Sequence, residues 1–392
     1  MNPLPFAEQL YCDPEAIRLA NVPTPCLIVD EALMNANIAR LKNRLANAGV
    51  MLRPHLKTAK SIDIARRLIS GPNGPATVST LREAEQFASA GITDLTYAVG
   101  ISPCKLQRVQ ALRKSGVSLN IILDSEEQAE AVAAASDPSD PILVLIELDC
   151  DGHRSGVRPE NSTLLLAIAR KLVPAAKLQG VLTHAGESYE AKGIEALAAI
   201  AETERVCAVN AAETLRSHGY QCPVVSVGST PTAHFARNYE GITEVRAGVF
   251  VFFDLVQAGI GVCEQSDIAL SVLTTVIGHQ HEKGWTIVDA GWMALSRDRG
   301  TAQQAEDQMY GVVCDIHGNP IPGLNVIQTN QEHGVIGKKP GFQGEVARFP
   351  IGTRLRILPN HACATATQHD RYYVIADGGR DITEQWARFS GW

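Results

Sequence analysis

The chain lacks most of the features that assign a function at sight. None of its nine cysteines sits in a CxxC pair. An odd, scattered set argues for reduced thiols in a cytoplasmic protein rather than a disulfide framework. No apolar run approaches the roughly 20 residues that span a bilayer. The start, MNPLPFAEQLYCDPEA, has no basic stretch leading into an apolar block, so no secretory signal is expected. Positive charge is short: 35 Lys and Arg against 42 Asp and Glu leave a net charge of −7, which argues against general affinity for nucleic acid or acidic membranes. No glycine-rich GxGxxG follows the first apolar run, which weakens the case for a doubly wound dinucleotide fold.

What is present is core material and a regular alternation. Hydrophobic residues make up 45% and charged residues 20% of 392, enough for one large domain and a smaller one. From Cys26 to about Leu255, short apolar runs (CLIVD, MLRPHL, ATVS, LTYAV, LNIIL, ILVLIELD, LQGVLTH, PVVSVG) alternate with amphipathic stretches such as TLREAEQFASAG. Several of these stretches end on the glycine expected just past a helix. Strand then helix, repeated about eight times over about 230 residues, predicts a parallel α/β fold, with a (β/α)8 TIM barrel ahead of an open sheet. After about residue 262 the texture changes to β-branched and aromatic runs (ALSVLTTVIGHQ, GWTIVDAG, RLRILPNH, RYYVIAD) separated by turn residues. This predicts a second, mostly antiparallel β-domain. The expected division is 22–261 for the barrel and 262–392 for the β-domain, with residues 1–21 packing nearby.

In a parallel barrel the chemistry collects at the C-terminal ends of the strands. The second apolar run ends in RPHLKT, with His55 and Lys57. The sixth leads into ELDCDGHRSG, with Asp149, His153 and Arg154, and the seventh into THAGESYE, with His184 and Tyr189. The eighth ends in GSTPT, with Ser229, Thr230 and Thr232, and the following EVRAGVF offers Arg246, Gly248 and Val249. Small residues and hydroxyls let backbone N–H groups approach a phosphate, although GSTPT alone also reads as an ordinary turn. With a lysine at an early strand end, the set suggests a phosphorylated aldehyde cofactor, pyridoxal 5'-phosphate (PLP). In the β-domain, PNHACAT carries His361 and Cys363 two apart, on one face if the segment is a strand. An imidazole and a thiolate fit a metal, zinc among others; alternating buried residues would look the same.

Together RPHLKT, VSTLREAEQF, IELDCDGHRSGV, LTHAGESYE, VVSVGSTPT, EVRAGVFVFFD, VDAGWMALSRDRGT, QEHGV and LRILPNHACAT resemble the metal-activated, PLP-dependent D-amino-acid enzymes, the D-serine dehydratase and D-threonine aldolase family. The likeness runs in order from about Thr24 to His361 and beyond. It implies the alanine-racemase-like architecture, PLP fold type III. It also implies that Lys57 is the Schiff-base lysine, that Arg154 and Tyr189 lie against the cofactor, and that Ser229, Thr230, Gly248 and Val249 cradle its phosphate. His361 and Cys363 match the ligands of a divalent metal (zinc, manganese or magnesium), so that Lys57, His361 and Cys363 form the catalytic set. His55, His184, Ser296, Asp298 and His333 fall inside matching motifs with supporting roles open. Aldolases of this group tend to carry Asp where this chain has Cys363, and dehydratases carry Cys. The expected reaction is therefore β-elimination from a 3-hydroxy-D-amino acid, with 3-hydroxy-D-aspartate giving oxaloacetate and ammonia and D-serine giving pyruvate. Retro-aldol cleavage is the alternative. A second carboxylate on the substrate would want a cation, for which Lys60, Arg297 and Arg299 are candidates. The resemblance also implies a cytoplasmic homodimer in which the β-domain of one subunit closes the barrel of the other.

Overall fold

The structure, a computed structural model, describes residues 18–152 and 154–392. His153 and most of the 1–21 segment expected beside the β-domain lie outside the described residues. The chain divides into two compact units: one is Asn35–Glu264 with Arg388–Trp392, and the other joins the segment ending at Met34 to Gln265–Ala387.

Among the described residues, the first unit holds an eight-stranded parallel sheet. Its strands in chain order are Met51–Leu52, Ala76–Val78, Asp94–Gly100, Ser118–Leu123, Leu143–Leu148, Lys177–Thr183, Val224–Val227 and Glu244–Val245. The sheet closes beyond its first strand. Leu56 N–H donates to the Thr77 carbonyl at 2.8 Å and Thr77 N–H to the Pro54 carbonyl at 2.8 Å, while His55 N–H donates to Ala247 at 2.7 Å on the other side. The (β/α)8 expectation is met, with one correction. Cys26–Asp30, counted from sequence as the first barrel strand, is not in this sheet, and the eighth place is taken by Glu244–Val245. All five residues of Cys26–Asp30 are buried, and a strand covered on both faces reads alike in either kind of sheet.

The second unit is a largely antiparallel sheet. Leu270–Gln280 pairs with both Trp285–Val288 and Arg354–Leu358, so the ring running through Gly334–Lys338, Pro320–Thr329 and Val312–Cys314 is closed. Cys26–Asp30 extends it by pairing antiparallel with Leu270–Gln280 and parallel with Arg371–Ile375. Leu19, Val22, Cys26, Ile28, Leu273, Tyr373 and Ile375 form a core around that junction. Helix Glu31–Asn47 starts where Asp30, ending the strand, accepts the Leu33 N–H at 3.1 Å, a side-chain cap on an orphan donor.

Cysteine usage follows the sequence expectation. The eight described cysteines are free, and burial pushes the thiols of Cys26, Cys150, Cys207 and Cys314 up to about 12, which keeps them protonated and inert. Among the described residues no helix is long and apolar enough to cross a membrane.

Inside the parallel barrel the filling is partly ionic. Side chains two apart on a strand share a face, and this face carries Arg53, Asp94, Ser226, Glu244 and Arg246. Arg53 Nε donates to Glu244 at 2.7 Å and its Nη1 to Asp94 at 2.8 Å, two strands away across the interior. Glu244 also accepts from Ser226 Oγ at 2.8 Å, and Ser226 accepts from Arg246 Nε at 2.9 Å. Removing one partner of such a buried pair leaves the other uncompensated and costs about 3–5 kcal/mol. Glu244→Ala is therefore expected to lower the unfolding free energy by about that amount, read from the urea midpoint by far-UV circular dichroism; a shift within about 0.5 kcal/mol, typical of a surface change, would refute the role assigned to the network.

Candidate active site

The barrel hydrogen bonds on both sides of residues 53–56 hold that segment extended until it breaks into a turn, and the turn puts the Lys57 side chain into solvent at a C-terminal strand end. His55 lies on the inner face beside it. Burial drives the His55 imidazole well below its ordinary value; the charges of Lys57 and Arg246 and neighbouring His184 push the same way, against a hydrogen bond with the Thr77 backbone. His184 Nδ1 lies 3.0 Å from the Gly228 carbonyl, to which it donates. Burial takes this ring to about 3, opposed by that bond and assisted by Lys57, Arg154 and Arg246. Both imidazoles are thus neutral bases beside a lysine. Tyr189 follows, its ring tilted 47° to that of His184 at 6.2 Å.

The GSTPT and RAGVF segments meet. Ser229 caps helix Thr230–Phe235 in a reciprocal box, accepting from Thr232 N–H at 3.2 Å while Thr232 Oγ1 accepts from Ser229 N–H at 3.0 Å. Phe250 N–H donates to Thr230 Oγ1 at 3.3 Å, joining the two loops. Thr230 and Val249 each open a helical turn, so their N–H groups have no acceptor within it. Gly228, at φ +133°, and Gly248 admit the close approach: a Cβ on Gly228 would stand 2.2 Å from the Arg246 carbonyl oxygen, and one on Gly248 2.8 Å from that of His55. Lys57, the Ser229–Thr230 turn and the Gly248–Val249 turn therefore converge through His55 and Phe250. Arg154 is half-exposed, its guanidinium 3.9 Å from buried Glu147.

In the second unit, His361 and Cys363 are not on a strand. His361 is the extended residue before helix Ala362–Ala366, and Cys363 lies in its first turn. The two-apart, same-face argument fails, because a helix and not a pleat follows Asn360. His361 Nδ1 lies 2.7 Å from Asp298 Oδ2, and the imidazole holds the Asp298 carboxyl below its usual range against the opposing effect of burial. Among the described residues no three His, Cys, Asp or Glu side chains gather into a metal cluster. His361 and Cys363 would thus make a two-ligand site completed by other ligands. Ser296 is buried with φ +77°, whereas His333 is exposed in a turn. Of the cations considered for a second carboxylate, Lys60 pairs with buried Glu83 at 3.1 Å and Arg299 with Asp307, which commits both. Arg297 stacks 5.3 Å from the Trp292 ring centroid.

Comparison with known proteins agrees with this geometry. The model for the alanine racemase N-terminal domain matches residues 29–256, and that for a putative serine dehydratase domain matches residues 269–375. D-threo-3-hydroxyaspartate dehydratase of Delftia sp. (strain HT23) is 52% identical over 378 residues, spanning 95% of this chain and 99% of that one. The chain belongs to the alanine racemase-like dehydratase family. A solved D-threo-3-hydroxyaspartate dehydratase variant, a cysteine-to-alanine mutant in the metal-free form, superposes with a TM-score of 0.92 at 51% identity, covering 96% of this chain and 100% of that one. D-threonine aldolase of Arthrobacter sp is 29% identical over 379 residues, 94% of each chain.

This member of the family also uses residues that its motifs do not announce. Glu204, buried in helix Ile194–Ser217, accepts the N–H groups of Ala185 at 3.0 Å and Gly228 at 2.9 Å, so one carboxylate ties the His184 loop to the Ser229 loop. Burial raises its carboxyl, opposed by the Gly228, Thr232 and Ala185 bonds. Nothing in sequence marks it, since a glutamate in a helix is ordinary. Glu147 was hidden in the same way: burial raises it, opposed by Arg154 and assisted by Asp124. His184 gives a prediction with a definite sign. Its pKa is lower folded than unfolded, so the stability it carries is complete above about 6.5 and is lost as pH falls towards about 3. His184→Asn is expected to flatten the fall in unfolding free energy between about pH 6.5 and 4.5 by about one proton; an unchanged slope would show that the ring protonates in the folded protein.

Proposed function

We propose that this chain is a PLP- and divalent-metal-dependent lyase that removes water from a 3-hydroxy-D-amino acid, 3-hydroxy-D-aspartate foremost, and yields the 2-oxo acid and ammonia. The observation that carries the reading is the convergence of Lys57 with the Ser229–Thr230 and Gly248–Val249 turns at one end of the barrel, in a chain 52% identical along its length to a dehydratase of that substrate. The residues fit the cofactor. An exposed primary amine meets the need of an aldehyde, and the N–H groups of Thr230 and Val249 with the Thr230 hydroxyl meet the need of a phosphate. Ser229 contributes mainly by capping, because its hydroxyl already bonds Ser188 at 2.8 Å and Thr232.

PLP, when bound, supplies an electron sink for negative charge at the substrate Cα. A divalent ion on His361 and Cys363 (zinc, manganese or magnesium) supplies Lewis acidity that helps a β-hydroxyl depart. The chain's own part is acid–base work and placement. The Lys57 amine takes the Cα proton. His55 and His184 stand beside it as neutral imidazoles, kept so chiefly by burial. Tyr189 and Arg154 would border the cofactor ring, and Gly248 and Val249 would close the phosphate end. A soft Cys363 in place of a carboxylate favours elimination over aldol cleavage. The working form is a cytoplasmic homodimer, in line with eight free described cysteines.

Product analysis tests this directly. Metal-replete holoenzyme given 3-hydroxy-D-aspartate is expected to release ammonia and oxaloacetate; glycine and glyoxylate would instead make it an aldolase. Lys57→Ala is expected to abolish both turnover and the protein-bound cofactor absorbance. His361→Ala is expected to keep the absorbance and lose turnover, and a His361→Ala enzyme that still turns over would end the metal reading.

A further inference from the structure

The loop Ser296–Thr301 is built around a single carboxylate. Ser296 holds φ +77° and ψ 170°, a strained backbone region almost reserved for glycine. The surrounding bonds keep it there. Ser296 N–H donates to the Trp292 carbonyl at 2.9 Å, and Asp298 N–H donates to Ser296 Oγ at 3.3 Å. Asp298 then commits both oxygens: Oδ1 accepts the Gly300 N–H at 2.8 Å and Oδ2 faces His361 Nδ1 at 2.7 Å. Asn360, the residue before His361, locks the two segments together. Its Nδ2 donates to the Asp298 carbonyl at 3.3 Å and to the Met309 carbonyl, and its Oδ1 accepts from Thr301 Oγ1 at 2.8 Å. Strain at Ser296 and the Asn360 lock thus serve one geometry, a carboxylate fixed against one nitrogen of a half-exposed imidazole.

We propose that Asp298 is a positioning residue that holds the His361 proton on Nδ1 and presents the Nε2 lone pair to a divalent metal. This rests on the reading of His361 and Cys363 as metal ligands. A carboxylate only accepts, so a neutral imidazole beside it carries its proton on Nδ1, and the lone pair is left on Nε2. The surroundings make the claim sharper than general support. The Gly300 N–H pins an acceptor at Oδ1. In Asp298→Asn the amide oxygen must therefore take that place and the NH2 group must face His361. The amide would donate to Nδ1, move the imidazole proton to Nε2 and block the ligand. In Asp298→Ala the ring is merely released and either tautomer remains open to it. The asparagine variant, nearer in shape to the native side chain, is the more damaging of the two.

The test measures metal affinity, with zinc and manganese as probes, by competition with a chromophoric chelator on PLP-loaded protein at pH 8. Cofactor absorbance and the melting curve report that each variant is folded. Asp298→Asn is expected to weaken binding by about 10–100-fold, and Asp298→Ala by several-fold less. Equal losses in the two variants would overturn the tautomer assignment. Wild-type affinity in both, with His361→Ala losing the metal, would overturn the positioning role and leave the metal site standing. Wild-type affinity in His361→Ala would remove the metal reading itself. Should the asparagine variant fail to fold, 15N-imidazole shifts of His361 in the metal-free native protein decide: the proton on Nδ1 supports the proposal and the proton on Nε2 overturns it.

Discussion

Arg53 is the constraint on which the barrel turns. Its guanidinium joins the last strand through Glu244 and the third through Asp94, while its own backbone runs between the chain ends that close the sheet. The flanking strands are only two residues long, Met51–Leu52 and Glu244–Val245, and two residues of ladder define a register weakly. A buried bidentate cation defines it strongly, since a slip by one position would turn Arg53, Glu244 and Arg246 out of their pairings and leave charges in an apolar shell. The turn bearing Lys57 begins where that bracing ends.

The same economy recurs at the strand ends. Two buried carboxylates collect N–H groups there: Glu204 joins two loops through Ala185 and Gly228, and Glu83 takes the Ser79 backbone N–H at 3.0 Å and the Lys60 ammonium at 3.1 Å. Each holds one loop to another element through charge-assisted bonds, which are about twice as strong as neutral ones. Lys57 is thereby separated in role from Lys60, three positions on: one ammonium is spent on structure and the other is left in solvent.

Much of this was legible in sequence and some was not, for definite reasons. The alternation of apolar runs and amphipathic stretches reported the parallel barrel, because both periods are local. The strand ends reported Lys57, His184, Tyr189, Ser229 and Gly248, because the barrel fixes where strand ends go. Cys26–Asp30 misled because its partners, Leu270–Gln280 and Arg371–Ile375, lie hundreds of residues away and its five buried positions carry no alternation. Glu244–Val245 was passed over as a strand because two residues have no period. His361 and Cys363 were picked out by type and spacing, but the strand assumed for them is a helix from Ala362, a short element that their two-residue spacing does not reveal. Asp298 and Glu204 act through contacts 63 and 19 residues distant in the chain, and single-sequence patterns hold no information on those.

The position of Cys26–Asp30 has a consequence for how the protein is made. A ribosome delivers this strand long before either of its neighbours, and the second is complete only at Ile375. At about 5–20 residues per second, roughly 240 residues are synthesised before even the first edge of this apolar strand can be filled by Leu270–Gln280. The parallel barrel, contiguous from its first strand to its last, can form during that wait. The other sheet cannot be finished until Ile375 has been made, so a chain stopped before Arg371 would lack that strand and leave one edge of Cys26–Asp30 open as well.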